Sequence, residues 1–196
     1  RLTVARYYTP TGRSIQKPYS EDREDYYNDL NERFINGEFS EKDSIHLTDS
    51  LKYRTPGGKI VYGGGGIMHD IFVPFDTTRV SKYYGKISAR QLTYRFAFNY
   101  ADTHRSTLNK FNEVGALEAH LNNQGLMEEF TQYAAEHGVP KTTAGYEKAQ
   151  KILHTQLKAY IARNILDNEG FYPIIRPLDN TIQKAIEVLT SENKEI

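Results

Sequence analysis

The hydrophobic pattern changes once along the chain, near residue 78, and this change limits the possible folds more than any other feature. Upstream of it, apolar side chains alternate with polar ones, and prolines and glycines interrupt them, as in short strands joined by turns. Downstream, apolar side chains recur every three or four residues, which predicts amphipathic helices. The sequence therefore predicts an α+β fold, with a β-rich part at residues 1–77 followed by an all-helical part at residues 78–196.

Five segments have helical periodicity, one in the first part and four in the second. They are residues 24–36, residues 88–104, the segment with Leu126, Phe130, Tyr133 and Ala134, residues 143–166, and residues 178–190. Gly37 is expected to end the first helix, and Gly138 with Pro140 the third. Asp179 is expected to cap the last helix, because a carboxylate there accepts hydrogen bonds from free N–H groups.

The first part contains two turn signals between strand-like runs. Residues 51–55 and 59–62 flank Pro56-Gly57-Gly58, which predicts a β-hairpin, and residues 67–73 continue the strand-like pattern. The alternation Leu2-Thr3-Val4-Ala5-Arg6-Tyr7-Tyr8 predicts an opening strand, and Thr9-Pro10-Thr11-Gly12 predicts the turn after it. A domain rarely begins inside a strand without Met, so we expect this chain to be a piece of a larger protein.

Composition excludes several classes of protein. The 196 residues include 25 basic and 25 acidic side chains, 15 Tyr, 9 Phe and no Cys. The many aromatic residues argue against a wholly disordered chain, and the zero formal charge argues against a nucleic-acid binder that relies on bulk charge. No apolar run approaches the roughly 18 residues of a membrane-spanning helix. Without Cys there is no disulfide framework, thiolate zinc site or cysteine nucleophile.

Charge is distributed unevenly in the first part. Residues 1–19 carry four basic side chains and no acidic one, whereas residues 20–50 carry ten acidic and three basic side chains, a net charge of −7. The acidic region fits either an exposed insertion, at about residues 17–60, or a specific binding surface. Because the two regions are neighbours with opposite charge, we expect them to pair within the chain rather than to bind nucleic acid.

Two motifs invite catalytic or binding hypotheses. Gly63–Gly66 could bind phosphate through its N–H groups, but the Lys, Ser or Thr and helix of a phosphate loop do not follow, which favours a site of close backbone approach. Ser14-Ile15-Gln16-Lys17 matches the Ser-x-x-Lys pattern of penicillin-binding enzymes. Pro18 follows at once, and neither partner motif of those enzymes is present, so the match does not indicate that chemistry.

The histidines and acidic residues do not form a recognisable catalytic or metal-binding pattern. The six His are His46, His69, His104, His120, His137 and His154. No two of them are four residues apart, which a chelating helix face requires, so isolated surface or helix-end His are expected. The sequence therefore predicts no catalytic residue, no cofactor-binding residue, no cofactor and no metal site within residues 1–196.

Residues 2–16, Leu-Thr-Val-Ala-Arg-Tyr-Tyr-Thr-Pro-Thr-Gly-Arg-Ser-Ile-Gln, closely resemble a strand-and-turn signature of the carboxyl-terminal processing peptidases, also called tail-specific proteases. Residues 65–71, Gly-Gly-Ile-Met-His-Asp-Ile, resemble the Gly-Ile-x-Pro-Asp element of that family, with His69 in place of Pro. Residues 171–174, Phe-Tyr-Pro-Ile, and the helix after Asp179 resemble the C-terminal helical extension of its envelope-anchored members. The acidic insertion has no counterpart in the shorter members.

The resemblance implies a serine endopeptidase in which a neutral Lys takes the proton of a nucleophilic Ser and backbone N–H groups stabilise the oxyanion. In the family, both residues and the substrate-binding PDZ domain precede the matched strand, so residues 1–196 are expected to be inactive alone. The resemblance also implies protein or peptide substrates and a periplasmic or cell-envelope location. Asp70 is expected to anchor its loop, and the alternative is a contact with the substrate.

Two further expectations follow. A sheet strand cut off from its upstream neighbours leaves an edge that could form an edge-strand homodimer. The alternative function is a non-enzymatic helical interaction module with a β appendage, whose partner binds the acidic region.

Overall fold

A computed structural model describes residues 4–17, 23–45, 51–76, 78 and 80–192, which form two compact units that meet in sequence between Phe75 and Asp76. Most of the described residues are helical, and a small antiparallel sheet accompanies them. A helical part with a small β region is therefore confirmed. The β-rich character predicted for the first part is not found, because the sheet of the described residues has two strands of three residues each.

Unit 1, residues 1–75, contains one α-helix and the sheet. Its elements are α1 (Arg23–Ile35), β1 (Lys52–Arg54) and β2 (Ile60–Tyr62), with a 3₁₀ turn at Lys42–Ser44. Unit 2, residues 76–196, is helical throughout most of its described length. Its elements are α2 (Lys82–Ala89), α3 (Leu92–Thr103), α4 (Arg105–Leu108), α5 (Val114–Asn122), α6 (Leu126–Glu136), α7 (Thr143–Ile175) and α8 (Asn180–Glu192), with a 3₁₀ turn at Arg176–Leu178.

The predicted hairpin is confirmed. Strands β1 and β2 pair antiparallel, with Tyr53 opposite Val61 at the centre of the register. The Pro56-Gly57-Gly58 turn closes it, and Gly58 has a φ of +83°, a conformation that glycine adopts without steric cost.

The predicted opening strand is absent from the described residues. Residues 4–9 and 67–73 belong to no strand, and Val4 is 86% exposed. Alternation of side chains favours an extended backbone, but a strand also needs a neighbour to accept its backbone hydrogen bonds. No such pairing of residues 4–8 occurs within the described part of the chain, so the prediction from alternation is wrong here.

Two predicted glycine terminators end their helices in the same way. Gly37 after α1 and Gly138 after α6 have φ values of +80° and +78°. In each case the next N–H group donates to a carbonyl five residues back, from Glu38 to Arg33 at 3.0 Å and from Val139 to Ala134 at 2.8 Å. This left-handed ending satisfies the last carbonyls of a helix. The prediction of α1 and α6, including their ends, is confirmed.

Helix α7 lies at the centre of unit 2, where it contacts α2, α3, α5 and α6. Leu153, Leu157 and Ile161 follow one stripe of α7, as predicted, and all three are fully buried. Burial of such side chains contributes roughly 1.5–3 kcal/mol each relative to exposure. Elsewhere in the same core, Phe96 of α3 packs against Phe130 and Tyr133 of α6, each with ring centroids 5.5 Å apart.

The predicted helix 88–104 is two helices. Helix α2 ends at Ala89 and α3 begins at Leu92, because Gln91 has a φ of +53° that no α-helix accommodates. The break lets both Ile87 of α2 and Leu92 of α3 enter the core, where each is almost fully buried. The apolar stripe predicted for α3 is correct, since Leu92, Phe96 and Tyr100 are all buried.

Helix α7 is longer than the predicted residues 143–166 and has a break inside it. Leu166 and Asp167 leave the helical region, and Asp167 has φ 52° and ψ −142°. Gly170 then approaches the preceding segment so closely that a Cβ atom would lie 2.6 Å from the carbonyl oxygen of Ala162. The predicted end at residue 166 therefore marks the break, after which a second helical segment continues to Ile175.

The last predicted helix and its cap are confirmed as α8. The Asp179 carboxylate oxygen Oδ1 accepts hydrogen bonds from the N–H groups of Thr181 and Ile182, both at 3.0 Å. Among the helices of the described residues, none is both long enough and apolar enough to cross a membrane.

Candidate functional site

Two turns of unit 1 share a sequence pattern and a backbone geometry. Residues 9–13 and 55–59 both read Thr-Pro-x-Gly followed by a basic residue. In each turn the Gly N–H donates to the Thr carbonyl, at 2.8 Å for Gly12 and 2.9 Å for Gly58, and the Thr N–H donates to the basic residue's carbonyl at 2.9 Å. This is the three-residue hairpin loop that ends on a left-handed glycine. The opening signature therefore contains a turn, as predicted, and the pattern that it shares with the second turn is a finding of the structure.

The glycine run Gly63–Gly66 lies against the chain that leaves the first turn. Its N–H groups donate to backbone carbonyls, from Gly63 to Leu51 at 2.9 Å, from Gly64 to Ser14 at 2.9 Å and from Gly66 to Ile15 at 2.7 Å. Because three of the four donors of the run already bind carbonyls, those three are not free to bind a phosphate. We name residues 13–15 together with residues 63–66 the glycine junction.

Lack of room for a side chain explains why residue 63 of this junction is a glycine. A Cβ atom on Gly63 would lie 2.9 Å from the Ser14 carbonyl oxygen and 3.2 Å from Cε2 of Tyr53. The first of these is backbone and cannot rotate away. The interpretation of the run as a place of close backbone approach is confirmed, and the hydrogen bonds of Gly63, Gly64 and Gly66 argue against the phosphate hypothesis.

The Ser-x-x-Lys match does not form a nucleophile and base. Ser14 Oγ accepts a hydrogen bond of 3.4 Å from the N–H of Gln16. The Lys17 ammonium lies 2.9 Å from the Asp29 carboxylate on α1, so it is an ion-pair partner rather than a free amine. This contact also confirms that the basic opening segment and the acidic region pair within the chain.

Asp70 connects the second motif to the second turn. Its carboxylate lies 2.6 Å from the ammonium of Lys59, which follows Gly58 in that turn. Both side chains are well exposed, so the pair contributes at most about 1 kcal/mol. The neighbouring His69 packs on Phe72, with ring centroids 5.5 Å apart. Asp70 therefore pairs with the second turn through an exposed contact.

Unit 2 contains a buried ion pair that no sequence pattern predicted. Lys158 of α7 is 8% exposed, and its ammonium donates to the Glu118 carboxylate at 2.7 Å and to the Asn122 side-chain oxygen at 2.9 Å. Glu118 and Asn122 are four residues apart, on one face of α5. The four-residue spacing of Glu118 and Asn122 indicates in the sequence that they share a helix face. It does not identify Lys158 on α7 as their partner. The three groups satisfy one another, so the arrangement fastens α5 to α7.

His154 lies one turn before Lys158 on the same helix and is half-buried. Burial lowers the pKa of His154 below its ordinary value, and the positive charge of Lys158 lowers it further, against the opposite effect of Glu118 and Glu128. Neutral His is therefore favoured at this position. This property makes His154 a pH-sensitive part of unit 2.

Two of the other histidines stand at helix ends, as predicted. His104 at the end of α3 stacks on Tyr100 with centroids 4.1 Å apart, and His137 at the end of α6 packs on Tyr133 at 4.0 Å. Each ring nitrogen Nδ1 lies within 3.0 Å of the carbonyl of the same tyrosine. His46 lies outside the described residues. Among those that are described, no three His, Asp or Glu side chains gather as metal ligands would.

Comparison with known proteins gives one match. Residues 83–167 match the model of a Family of unknown function (DUF8443). The matched segment begins in the first turn of α2 and ends at Asp167, where α7 breaks. No curated protein and no solved structure matches the chain.

Proposed function

We propose that this chain is the C-terminal portion of a tail-specific serine endopeptidase of the cell envelope, with the Ser/Lys dyad and the PDZ domain upstream. The observation that carries the proposal is the glycine junction. The two sequence signatures that resemble the family lie about 50 residues apart in the chain. A backbone hydrogen bond of 2.7 Å from Gly66 to Ile15 joins them, and the bond from Gly64 to Ser14 lies directly beside it. Two motifs that contact each other are better support than two separate matches.

In this proposal, the chain supplies structure to the peptidase and no catalytic group. The glycine junction and the two Thr-Pro-x-Gly turns would fix the last part of the peptidase core, and unit 2 would be an attached helical domain. Substrates would be proteins or peptides that the upstream part binds and cleaves. Residues 1–196 alone would be inactive.

The exposed opening segment supports an upstream neighbour. Val4 and Tyr7 are 86% and 76% exposed, and residues 4–8 have the side-chain alternation of a strand without a ladder partner among the described residues. A strand of the upstream core would supply that partner. In residues 1–196 alone, the same edge could pair with a second copy as an edge-strand homodimer. Sedimentation of the chain and of an Arg6→Pro variant tests this, because proline removes a ladder donor.

The sequence encoded upstream of residue 1 tests the assignment. The proposal expects a Ser-containing nucleophile motif, then a Lys, then directly this opening segment. An unrelated domain, or a stop, upstream of residue 1 would favour the alternative, a non-enzymatic helical interaction module with a β appendage. The observation that favours this alternative is the self-contained core of unit 2, in which Leu117, Phe130 and Leu157 are fully buried.

A further inference from the structure

Three apolar side chains of helix α1 are exposed to solvent. Leu30, Phe34 and Ile35 are 63%, 62% and 80% exposed, although Leu30 and Phe34 are one turn apart on one face. Amphipathic helices normally bury such a face against the rest of their domain. These three side chains are called the outer face of α1 below.

The polar side of the same helix makes its contacts within unit 1. Asp29 pairs with Lys17 at 2.9 Å, and Arg33 pairs with Glu38 at 2.8 Å. The Arg33 guanidinium also lies over the Phe39 ring, 5.6 Å from its centroid. Phe34 lies beside the same Phe39 ring, with ring centroids 6.3 Å apart, and Asp29 and Arg33 remain 41% and 40% exposed. These contacts leave most of Leu30, Phe34 and Ile35 uncovered, so apolar area remains for a partner to cover.

The charge around the outer face is negative. Glu32 is exposed on α1, and Glu41 and Asp43 are exposed just beyond it, with the exposed base Lys42 between them. The basic side chain of α1 whose position is described, Arg33, is already paired with Glu38. A ligand that covers the outer face therefore meets carboxylates at its rim, which repel anionic surfaces and attract cationic ones.

We propose that the outer face of α1 is a docking surface for a cationic amphipathic helix of a partner polypeptide. The apolar side of the partner would cover Leu30, Phe34 and Ile35, and its Lys or Arg side chains would meet the surrounding carboxylates. Anionic membranes and nucleic acids do not fit, because they would bring negative charge to a region of net charge −7. The proposal does not depend on the peptidase assignment, since it uses only α1 and its surroundings.

The test uses the full chain and three synthetic peptides of about 18 residues, long enough to form a helix when bound. The first is an amphipathic helix of Leu and Lys, the second has the same composition scrambled so that no apolar face forms, and the third has Glu in place of Lys. Titration calorimetry measures affinity, and amide chemical shifts of the ¹⁵N-labelled chain locate the contact. We expect the first peptide to bind at least about tenfold more tightly than either control and to shift the amides of α1.

Substitutions on the outer face separate this surface from general attraction to an acidic protein. The double substitution Leu30→Ser, Ile35→Ser should weaken binding of the first peptide by about tenfold or more. Glu32→Lys should also weaken this binding and reduce its dependence on salt concentration. Ile67→Ser, at a side chain that is 70% exposed in the same unit, is the matched apolar control. Glu147→Lys on α7 is the matched charge control. Neither should change the affinity.

Three results would overturn the proposal. They are absence of binding at a peptide concentration of about 1 mM, equal binding of the scrambled or acidic peptide, and unchanged affinity in the Leu30→Ser, Ile35→Ser variant. Circular dichroism of each variant checks that α1 and the remaining helices are retained. The substituted side chains are exposed, so loss of the fold is not expected.

Discussion

At the scale of single residues, Gly63 shows how one missing side chain fixes a backbone crossing. The Ser14 carbonyl oxygen lies 2.9 Å from the place that a Cβ atom of residue 63 would take. Gly65, two residues on, has no atom within 4 Å of its own Cβ position. The two glycines therefore belong to the same glycine run but differ in the room that each has for a Cβ atom.

We predict that Gly63→Ala lowers the free energy of unfolding of unit 1 by about 1–3 kcal/mol, because the junction must open to admit the methyl group. Gly65→Ala should leave it unchanged or raise it by a few tenths of a kcal/mol, because alanine reduces the entropy of the unfolded chain. Urea titrations monitored by signals of unit 1 measure both variants. An equal effect of the two substitutions would contradict the steric role of Gly63.

The ion pair of Lys158 with Glu118 gives a second prediction at the scale of residues, because the lysine is more deeply buried than the glutamate. Glu118→Leu leaves an ammonium group that is mostly buried without its carboxylate, which costs about 3 kcal/mol of unfolding free energy. Lys158→Met leaves a carboxylate that is 36% exposed and can be hydrated, so its cost should be smaller, about 1 kcal/mol. Chemical denaturation measures both.

The exposed pair of Lys184 with Glu187, also 2.7 Å apart, is the control for this comparison. Glu187→Gln should change the free energy of unfolding by less than about 0.5 kcal/mol. A cost for Lys158→Met as large as that for Glu118→Leu would show that water does not compensate the Glu118 carboxylate, and it would contradict the predicted asymmetry.

His154 gives a pH dependence with a definite sign. Because folding lowers the pKa of His154, the unfolded chain binds more protons than the folded chain below its ordinary value of 6.5. The stability that neutral His154 provides is therefore complete above that value and falls as pH decreases towards the lowered pKa. We predict that His154→Gln loses less unfolding free energy than the native chain when the pH is lowered from about 7.5 to about 5.5. An equal loss in both would contradict this origin.

At the scale of elements, sequence periodicity predicted α1, α3, α6, α7 and α8 but missed α4, α5 and most of α2, and it predicted the strands poorly. A helix such as α6 satisfies its backbone within itself, so its stripe and its Gly138 terminator are sufficient to predict it. A strand depends on a neighbour, and residues 4–8 have the alternation without one in the described chain. In the described hairpin, β1 has β2 as its neighbour because the short turn at Gly58 connects the two strands directly.

The same distinction explains what the candidate site revealed only in three dimensions. The glycine junction joins residues about 50 positions apart, and the pair of Lys158 with Glu118 joins residues 40 apart. No local pattern specifies either contact. The break at Gln91 was missed as well, because no proline or glycine marks it between Ser88 and Leu92.

The break in α7 supports a prediction at this scale. Asp167 has φ 52° and ψ −142°, a region that only glycine adopts freely, so Asp167→Gly should raise the free energy of unfolding by about 1 kcal/mol. Asn168→Gly, at the adjacent position where the helix resumes, should lower it by a few tenths of a kcal/mol, because glycine is the poorer helix former. Thermal and urea unfolding measure the stability of both variants. If neither variant is stabilised, or if both are, the backbone strain is not confined to Asp167.

At the scale of the whole molecule, the two units differ in what they resemble. The motifs that resemble a tail-specific peptidase lie mainly in unit 1, whereas the match to a Family of unknown function (DUF8443) lies in unit 2. The zero net charge of the chain averages a basic opening segment, the acidic region and the remaining residues. Neither the total charge nor the total length therefore bears on the function as closely as the contacts of the glycine junction do.

If the proposed assignment holds, the gene encodes a longer product. The most direct measurement is then cleavage of an unfolded, C-terminally tagged protein by the whole gene product and by residues 1–196 alone. We predict that the longer product cleaves the substrate, that replacing its nucleophilic Ser with Ala abolishes cleavage, and that residues 1–196 do not cleave. Ser-dependent cleavage by residues 1–196, or an inactive longer product without a Ser/Lys pair, would contradict the assignment.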